Sequence, residues 1–468
     1  MDISGMTALQ LSNSLATREI SAVEVMTATL ARIEAVNGAV NAIVSLRDAD
    51  ALMAQARAAD DGPKQGWLHG IPIAIKDLSD AKGLPTTMGS PLFADNIATR
   101  DGIIPARLRA AGGIIIGKTN VPQFGFGSHS VNPVFGVTRN PYDLARTAGG
   151  SSGGAGVALS TAMVSVADGS DVMGSLRNPA GWNNVYGMRP TFGLVPSDPE
   201  GDTFLHQLGV MGPMARNPGD LAALLDTMAG PDPRQPHGIE QPASLLQIDG
   251  GARGMRLGWL ADWGGALPME PGVLDTCASA LAQMSDLGVR IEALPAPFDR
   301  DAMWQSWNAL RSWSIAALMS PLHDDPDKRR HLNHQVCWEV EQGLALSAMD
   351  VHRASVIRSD WFKVAATLFD RYDVLALPSA QLWPFDVTLD WPREIAGTAM
   401  DTYHRWMEVV IAASLIGLPA ICVPAGFGGP DDLPIGLQLI GRRGSDAKLL
   451  RLAQTWHEAT DWPGQRPP

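Results

Sequence analysis

Short apolar runs bounded by turn residues are the feature of this sequence that most limits its fold. They are continuous rather than alternating, which is typical of strands covered on both faces. Helical stretches such as residues 220–228 and 446–459 lie between them, so the pattern predicts an α/β protein in which helices cover a buried sheet. The predicted strands comprise residues 71–76, 114–117, 163–167, 256–260, 373–378, 420–424 and 435–441.

One helix is predicted with defined ends. Ser21 and Glu24 are spaced as a capping box, and Ile20 precedes them as a hydrophobic staple. Apolar residues then repeat at helical spacing. Gly38 is predicted to end this helix.

Charge and cysteine content argue against several classes of function. The 468 residues include 36 Lys and Arg against 49 Asp and Glu, a net charge of −13, and no basic run occurs. Such a surface repels a phosphate backbone, so no nucleic-acid partner is predicted. Cys277, Cys337 and Cys422 lie far apart without a CxxC spacing. This argues against a disulfide framework or a zinc site and predicts a reducing, cytoplasmic environment.

No membrane segment is predicted. The N-terminal stretch lacks the basic start of a signal peptide, since its first basic residue is Arg18. One long uncharged run, residues 409–430, is interrupted by Gly417, Pro419 and Pro424. These residues predict a helix that ends before a short buried strand rather than a membrane span.

Two glycine-rich segments carry three serines. "GGSSGGAG" (149–156) has adjacent serines between glycine pairs, and "DVMGSLRNPA" (171–180) has a third serine after a glycine. The first segment lacks the GK[ST] of a phosphate loop and the GxGxxG of a dinucleotide site. It matches the GxSxG of a nucleophile elbow, but a turn-rich loop rather than a strand precedes it. What remains is a serine cluster without a nearby histidine.

Lys76, which closes the run "GIPIAIKD", is the candidate base for these serines. A serine hydroxyl needs a base to become a nucleophile. Burial at the end of a strand lowers the pKa of a lysine and allows its neutral amine to accept a proton. Alternatively, Lys76 extends out of the strand end and pairs with Asp77. The residues alone leave both interpretations open.

Five ordered segments resemble the amidase signature family of serine hydrolases. The resemblance extends nearly end to end and is weakest between about residues 260 and 400. It implies one domain over residues 1–468, with a large mixed, mostly buried central β-sheet covered by helices on both faces. It also implies a variable, mainly helical segment at about 295–407 near the substrate pocket. The segments are "GIPIAIKD", "GLPTTMGS", "GKTNVPQFGFGSHSVNPVFGVTRNPYD", "GGSSGGAGVAL" and "GSDVMGSLRNPA".

The resemblance implies a Ser–cis-Ser–Lys triad. The family's lysine corresponds to Lys76, its bridging serine to Ser151 and its nucleophile to Ser175. Neutral Lys76 is expected to activate Ser175 through Ser151, so that Ser175 forms an acyl-enzyme. A cis peptide bond is implied between Gly150 and Ser151. The positions that support this site are Ser152, Arg177 and Gly150.

Backbone N–H groups of Val172, Met173 and Gly174 are expected to form the oxyanion hole. The family chemistry requires no metal ion and no cofactor. The family usually has glycine where Met173 stands; we expect Met173 to avoid a positive φ and to form an apolar wall of the substrate pocket. Gln123, where glutamate is commoner in the family, is a second candidate pocket residue.

The predicted function is hydrolysis of amide-type C–N bonds in a small-molecule amide, anilide or carbamate. Apolar or aryl substrates are favoured, as in arylamidases and urethanases, because the variable segment is rich in Trp and Met. Eight of the fourteen tryptophans fall within residues 295–407, either as ordinary core or in part as the lining of a ligand pocket. The protein is predicted to be a cytoplasmic monomer or homodimer.

Two other functions stay open at this point. A glutaminase-type subunit of a tRNA-dependent amidotransferase would need a partner surface and a cationic group for glutamine. A catalytically silent binding scaffold would leave Ser175 unreactive toward a fluorophosphonate.

Overall fold

The computed structural model describes residues 3–468, which form seventeen β-strands, fifteen α-helices and four short 3-10 helices. The strands are β1 (Ile43–Val44), β2 (Pro72–Lys76), β3 (Ile114–Thr119), β4 (Val131–Asn132), β5 (Gly136–Val137), β6 (Arg139–Asn140), β7 (Asp143–Thr147), β8 (Val166–Asp171), β9 (Tyr186–Arg189), β10 (Val210–Ala215), β11 (Arg256–Trp259), β12 (Arg290–Ala293), β13 (Val374–Pro378), β14 (Glu394–Ile395), β15 (Thr398–Ala399), β16 (Ala420–Gly428) and β17 (Leu433–Gly441). The α-helices are α1 (Ala8–Ala16), α2 (Ala22–Val40), α3 (Ala49–Asp61), α4 (Ile103–Ala110), α5 (Gly153–Ser160), α6 (Arg177–Trp182), α7 (Pro218–Met228), α8 (Val273–Asp286), α9 (Arg300–His323), α10 (Pro326–Arg329), α11 (His334–Leu344), α12 (Ala348–Arg371), α13 (Ile411–Ser414), α14 (Asp446–Thr460) and α15 (Trp462–Gln465). The 3-10 helices span Pro91–Phe93, Gln123–Gly125, Leu245–Gln247 and Arg405–Val410.

The central sheet has eight strands in the order β12-β11-β13-β17-β16-β9-β10-β8. Strand β11 runs parallel to both of its neighbours and the remaining pairs are antiparallel. Every residue of β13 and β17 is buried, and since side chains alternate along a strand, both faces are covered. The prediction of a large mixed and mostly buried sheet is confirmed.

A smaller three-stranded sheet, in the order β1-β3-β2, stands beside the edge strand β8. The two sheets are joined where the backbone N–H of Lys76 donates to Asp168 Oδ1 at 2.8 Å. Lys76 is the last residue of β2, and Ser175 lies four residues beyond the end of β8. The end of β2 and the loop after β8 therefore meet between the two sheets.

Several predicted boundaries differ from the structure, and for two of them the backbone shows the cause. The capping box of Ser21 and Glu24 is present, but α2 continues past Gly38 to Val40. It ends there because Asn41 adopts the left-handed region at φ 53° and donates its N–H to the carbonyl of Asn37. The strand predicted at 163–167 begins three residues later, because the chain first turns at Ala162, which has φ 58°.

Apart from a 3-10 helix that begins at Arg405, the segment at 295–407 is helical only as far as α12. After that helix, β13 enters the central sheet between β11 and β17, so the segment shares its core with the rest of the chain. Helix α9 packs against both α11 and α12. Five of the eight tryptophans in the segment at 295–407 are buried: Trp304, Trp307, Trp361, Trp383 and Trp406.

Candidate active site

Lys76 has a completely buried side chain at the end of β2. Its Nζ lies 2.8 Å from Ser151 Oγ, 2.8 Å from Ser152 Oγ and 2.9 Å from Ser170 Oγ. The alternative of an exposed lysine paired with Asp77 is wrong, because β2 ends inside the protein rather than at its surface.

Burial lowers the pKa of Lys76 from 10.5 to about 7, although the charges of Asp168 and Asp171 act in the opposite direction. The surrounding hydroxyl groups both donate and accept hydrogen bonds, so none of them requires the ammonium form. Lys76 is therefore neutral in a large fraction of molecules near pH 7 and is able to take a proton from a hydroxyl.

A second buried lysine lies on the neighbouring strand. Lys118 Nζ is 3.7 Å from Asp77 Oδ1, and both side chains are fully buried. Asp168 Oδ1 accepts from the backbone N–H of Lys76, whereas its Oδ2 has no hydrogen-bond partner within residues 3–468. Asp168 thus holds the backbone of Lys76 in place and acts on its amine through charge.

The serine pair lies on the loop between β7 and α5. The Gly150–Ser151 peptide bond is cis. The loop needs glycine at Gly149, where φ is +76° and an added Cβ would lie 2.4 Å from Asn178 Oδ1. This close packing accounts for a glycine before the serines and holds Ser151 against Lys76.

Ser175 lies in the loop between β8 and α6. Its side chain is 8% exposed and lines the cavity that Ser151 also lines. Its carbonyl accepts the N–H of Ser152 at 3.2 Å, which joins the two serine loops. The hydroxyl of Ser175 forms no hydrogen bond with any described residue. Lys76 and Ser151 are therefore hydrogen-bonded in the structure, whereas the hydroxyl groups of Ser151 and Ser175 are not hydrogen-bonded to each other.

The oxyanion hole expected at residues 172–174 is only partly available. Gly174 donates its N–H to Asp171 Oδ1 at 2.9 Å. This N–H is therefore not free to bind an oxyanion, and the prediction that Gly174 belongs to the oxyanion hole is corrected. The N–H groups of Val172 and Met173 have no acceptor within residues 3–468. The positive φ of this loop falls at Gly174, at +80°, and Met173 has none. Met173 lines the cavity with its side chain almost fully buried.

Asp171 anchors this loop through two buried arginines. Arg177 binds it in a bidentate manner, with Nε and Nη2 each 3.0 Å from a carboxylate oxygen, and Arg189 Nη1 lies 3.2 Å from Oδ1. Burial alone would raise the pKa of Asp171, but the charges of Arg177 and Arg189 hold it well below its usual range. Arg177 thus stabilises the loop through its bonds to Asp171 and does not line the cavity.

The serines open into a cavity of about 600 Å³. Helix α9 supplies part of its wall, which brings the variable segment to the site. None of the tryptophans within residues 3–468 lines it; Trp391 and Trp406 line a neighbouring cleft instead. The apolar side chains of the wall include Phe124, Phe126, Met173, Leu208, Ile315 and Met407.

Gln123 is not part of the cavity wall in the described chain, so its assignment to the substrate pocket is corrected. Its Nε2 donates to the carbonyl of His331 at 2.7 Å, and its Oε1 accepts from the backbone N–H of Asn333 at 3.0 Å. The side chain is turned toward the start of α11 because that segment supplies a donor and an acceptor for its amide. Gln123 therefore positions the variable segment.

Two features of the site have no signal in the sequence. Ser170, a residue of β8, contacts Lys76 and lines the cavity. Arg311 of α9 also lines the cavity, with its Nε 2.6 Å from Glu339 Oε1 and its Nη2 2.8 Å from the hydroxyl of Tyr403. These partners are 28 and 92 residues away along the chain, so no local pattern announces them.

Neither a metal site nor a membrane-spanning helix is found in the described residues. Residues 3–468 contain no group of three or more His, Cys, Asp or Glu side chains arranged to hold a metal ion. Within the same residues, no helix has the length and apolar character needed to cross a bilayer. The uncharged run at 409–430 forms the short helix α13 followed by β16.

Comparison with known proteins gives consistent matches over the whole chain. The family model described as Amidase matches residues 24–450. An acylamidase of Rhodococcus erythropolis is 35% identical over 474 residues, covering 99% of this chain and 97% of that protein. A glutamyl-tRNA(Gln) amidotransferase subunit of Chloroflexus aurantiacus is 33% identical over 482 residues, covering 97% and 96%. The crystal structure of a bacterial aryl acylamidase of the amidase signature family superposes with a TM-score of 0.91, at 26% identity and 99% coverage of both chains.

Proposed function

This chain belongs to the amidase signature family and hydrolyses amide-type C–N bonds, and on that premise we propose that Ser175 is its nucleophile and Lys76 its base. Ser151 relays the proton between them. One observation carries the proposal: the Nζ of a fully buried lysine lies 2.8 Å from the hydroxyl of Ser151, at the wall of the cavity that Ser175 lines.

The proton steps balance without a further group. Neutral Lys76 takes the proton of Ser151, and Ser151 takes that of Ser175 as Ser175 Oγ bonds to the substrate carbonyl carbon. The N–H groups of Val172 and Met173 bind the resulting oxyanion. When the C–N bond breaks, the proton returns through Ser151 to the leaving amine. Water then attacks the acyl carbon while Ser151 takes a proton from it and passes its own to Lys76. The bond between Ser175 Oγ and the acyl carbon breaks, the proton returns through Ser151 to Ser175, and the acid is released.

Lys76 suits this role because no carboxylate of residues 3–468 contacts its amine. A carboxylate at hydrogen-bond distance would favour the ammonium form, which cannot accept a proton. Hydroxyl groups from Ser151, Ser152 and Ser170 surround the Nζ instead. Of these, Ser151 and Ser170 also line the cavity, and Ser151 is the proposed relay because its loop is joined directly to Ser175.

The substrate class follows from the cavity wall. Its side chains are mainly apolar, and its one described guanidinium, that of Arg311, is neutralised by Glu339. A neutral amide, anilide or carbamate with apolar or aryl groups therefore fits best. The names of the similar proteins, an acylamidase and an aryl acylamidase, support the same class.

The glutaminase alternative is weaker on these grounds. Glutamine carries a carboxylate, which needs an unpaired cation in the cavity. Arg311 is already bound by Glu339 and Tyr403, and the residues that line the cavity include the carboxylates of Asp198, Glu200 and Asp202. Because the chain is similar to an amidotransferase subunit, the test below includes glutamine as a substrate.

Four further properties stay predictions. We propose that residues 1–468 form a single domain, since β13 of the variable segment is a strand of the central sheet. A monomer or homodimer in the cytoplasm, without a nucleic-acid partner, is expected from the charge and the cysteine content.

The test combines labelling with a substrate panel. A fluorophosphonate is expected to modify Ser175, located by peptide mass spectrometry, and 4-nitroacetanilide and aryl carbamates are expected to be cleaved faster than glutamine. Ser151→Ala should lower kcat/KM by about 10²–10⁴-fold. Ser170→Ala is the matched control, because Ser170 also contacts Lys76, and should retain most of the activity. Loss in Ser170→Ala with activity kept in Ser151→Ala would overturn the relay, and an unlabelled Ser175 would support the silent scaffold.

A further inference from the structure

We propose that a groove beside the catalytic cavity binds an amphipathic carboxylate, that is, an acid with an apolar or aryl body. The groove has a volume of about 650 Å³. Helix α12 forms one side, and the loops at residues 236–239 and 415–417 form the other. We call it the cationic groove.

The charge of this groove is opposite to that of the chain. Arg358, Lys363 and Arg443 line it, and no Asp or Glu of the described residues does. The chain as a whole carries a net charge of −13. Lys363 is paired with Asp360, whose Oδ1 lies 3.0 Å from its Nζ. Arg358 and Arg443 have no such partner within residues 3–468, and these two cations attract an anion.

Arg358 is the strongest single indication of a ligand. Its side chain is partly buried, yet no carboxylate of residues 3–468 lies within ion-pair distance of it. Its hydrogen bond to Ser355 is a long one, 3.4 Å from Nη2 to Oγ. Burial lowers the pKa of Arg358, and no anion among the described residues offsets that effect. A guanidinium that has lost part of its contact with water gains from a charged partner, and its free N–H groups match a carboxylate in geometry.

The rest of the groove suits an apolar body. Phe362 is 41% exposed, and Leu415 and Ile416 lie beside it along the wall. Phe192 packs against the ring of His237, with the ring centroids 5.8 Å apart. A ligand that places a carboxylate on Arg358 can lay its apolar part on these side chains, which a hydrophilic anion such as phosphate could not exploit.

The groove adjoins the catalytic cavity. Phe192 lines both of them. His237, in the groove, lies 2.8 Å through its Nε2 from the carbonyl of Phe204, beside Thr203 of the cavity wall. An apolar acid is also what hydrolysis of an apolar amide releases. That link to the product rests on the proposed function, whereas the binding of an acid in the groove does not.

The experiment is isothermal titration of the full-length protein with 4-phenylbutyrate, with 4-phenylbutan-1-ol as the uncharged analogue. Arg358→Gln should weaken 4-phenylbutyrate binding by about tenfold or more, because it removes a charge-assisted pair. Arg353→Gln is the matched control: Arg353 lies on the same helix, is paired with Asp350 and is exposed. It should leave the affinity unchanged, and the alcohol should bind about tenfold more weakly than the acid.

Several outcomes would overturn the proposal. These are no binding of 4-phenylbutyrate, equal binding by Arg358→Gln and the unchanged protein, or equal binding of acid and alcohol. If sedimentation shows a homodimer that Arg358→Gln dissociates, the groove is an interface between two copies of the chain, and this result would also overturn the proposal. If circular dichroism shows Arg358→Gln to be unfolded, Arg443→Gln replaces it, since Arg443 is exposed. Anilide cleavage by the same samples tests the proposed function separately.

Discussion

Lowering the pH should protonate Lys76 and so reduce kcat/KM. If neutral Lys76 accepts the proton, kcat/KM follows the fraction of molecules in which its amine is uncharged. The perturbation is therefore pH itself, varied from about 5 to 10 with a neutral anilide, whose own charge does not change over that range.

The magnitude follows from the burial of Lys76. Its pKa falls from 10.5 to about 7, so about half of the molecules carry the neutral amine at pH 7, against about one in 3,000 for an unshifted lysine. Below pH 7 the neutral fraction falls about tenfold per pH unit. We expect kcat/KM to decline with that slope on the acid side and to level off about one unit above pH 7.

The assay is the initial rate of 4-nitroaniline release from 4-nitroacetanilide across that pH range. Asp168→Asn refines it: the amide oxygen still accepts the N–H of Lys76, but the charge that favours the ammonium form is lost. The acid limb should therefore move to lower pH in Asp168→Asn. Asp327→Asn, at a side chain 86% exposed, should not move it. A profile that is flat through pH 7, or one still rising tenfold per unit above about pH 9, would refute the assignment of Lys76.

Three further changes test other parts of the site. Met173→Gly should alter the kcat/KM ratio between aryl and short aliphatic amides by about tenfold, a larger effect than on the melting temperature; an identical substrate profile would reject a wall at Met173. The free energy of unfolding of Lys76→Met, taken relative to the unchanged protein, should be on the order of 3 kcal/mol higher at pH 7 than at pH 10, measured by urea titration. The difference arises because toward pH 10 the unfolded lysine loses its proton as well and the native chain no longer bears the cost of a depressed pKa. Arg177→Lys should destabilise the fold by about 3–5 kcal/mol, since it breaks the buried bidentate pair with Asp171, whereas Arg353→Lys on the surface should cost less than about 1 kcal/mol.

Local signals in the sequence predicted individual elements well. The capping box at Ser21 and all seven apolar runs correspond to elements of the structure. These predictions succeed because a cap or a buried strand depends on residues within one segment. The predicted end of α2 was wrong because Asn41 took the left-handed position that Gly38 was expected to fill.

Side-chain direction was harder to predict. Gln123 lies in a segment that resembles the family closely, yet its amide is bound by residues 208 and 210 positions further along the chain. Gly174 was expected to offer a free N–H, but Asp171 accepts it. Each of these outcomes depends on a partner that a local pattern cannot place.

The amino-acid sequence specifies which chemical groups are available: one lysine at the end of an apolar strand and three serines among glycines. The tertiary structure alone decided how that lysine behaves. Ser151 and Ser152 come from one loop and Ser170 from a separate strand, and together they enclose the Nζ. Removing an amine from water requires packing on every side of it, which no single segment supplies. Its proton affinity is therefore a property of the folded chain.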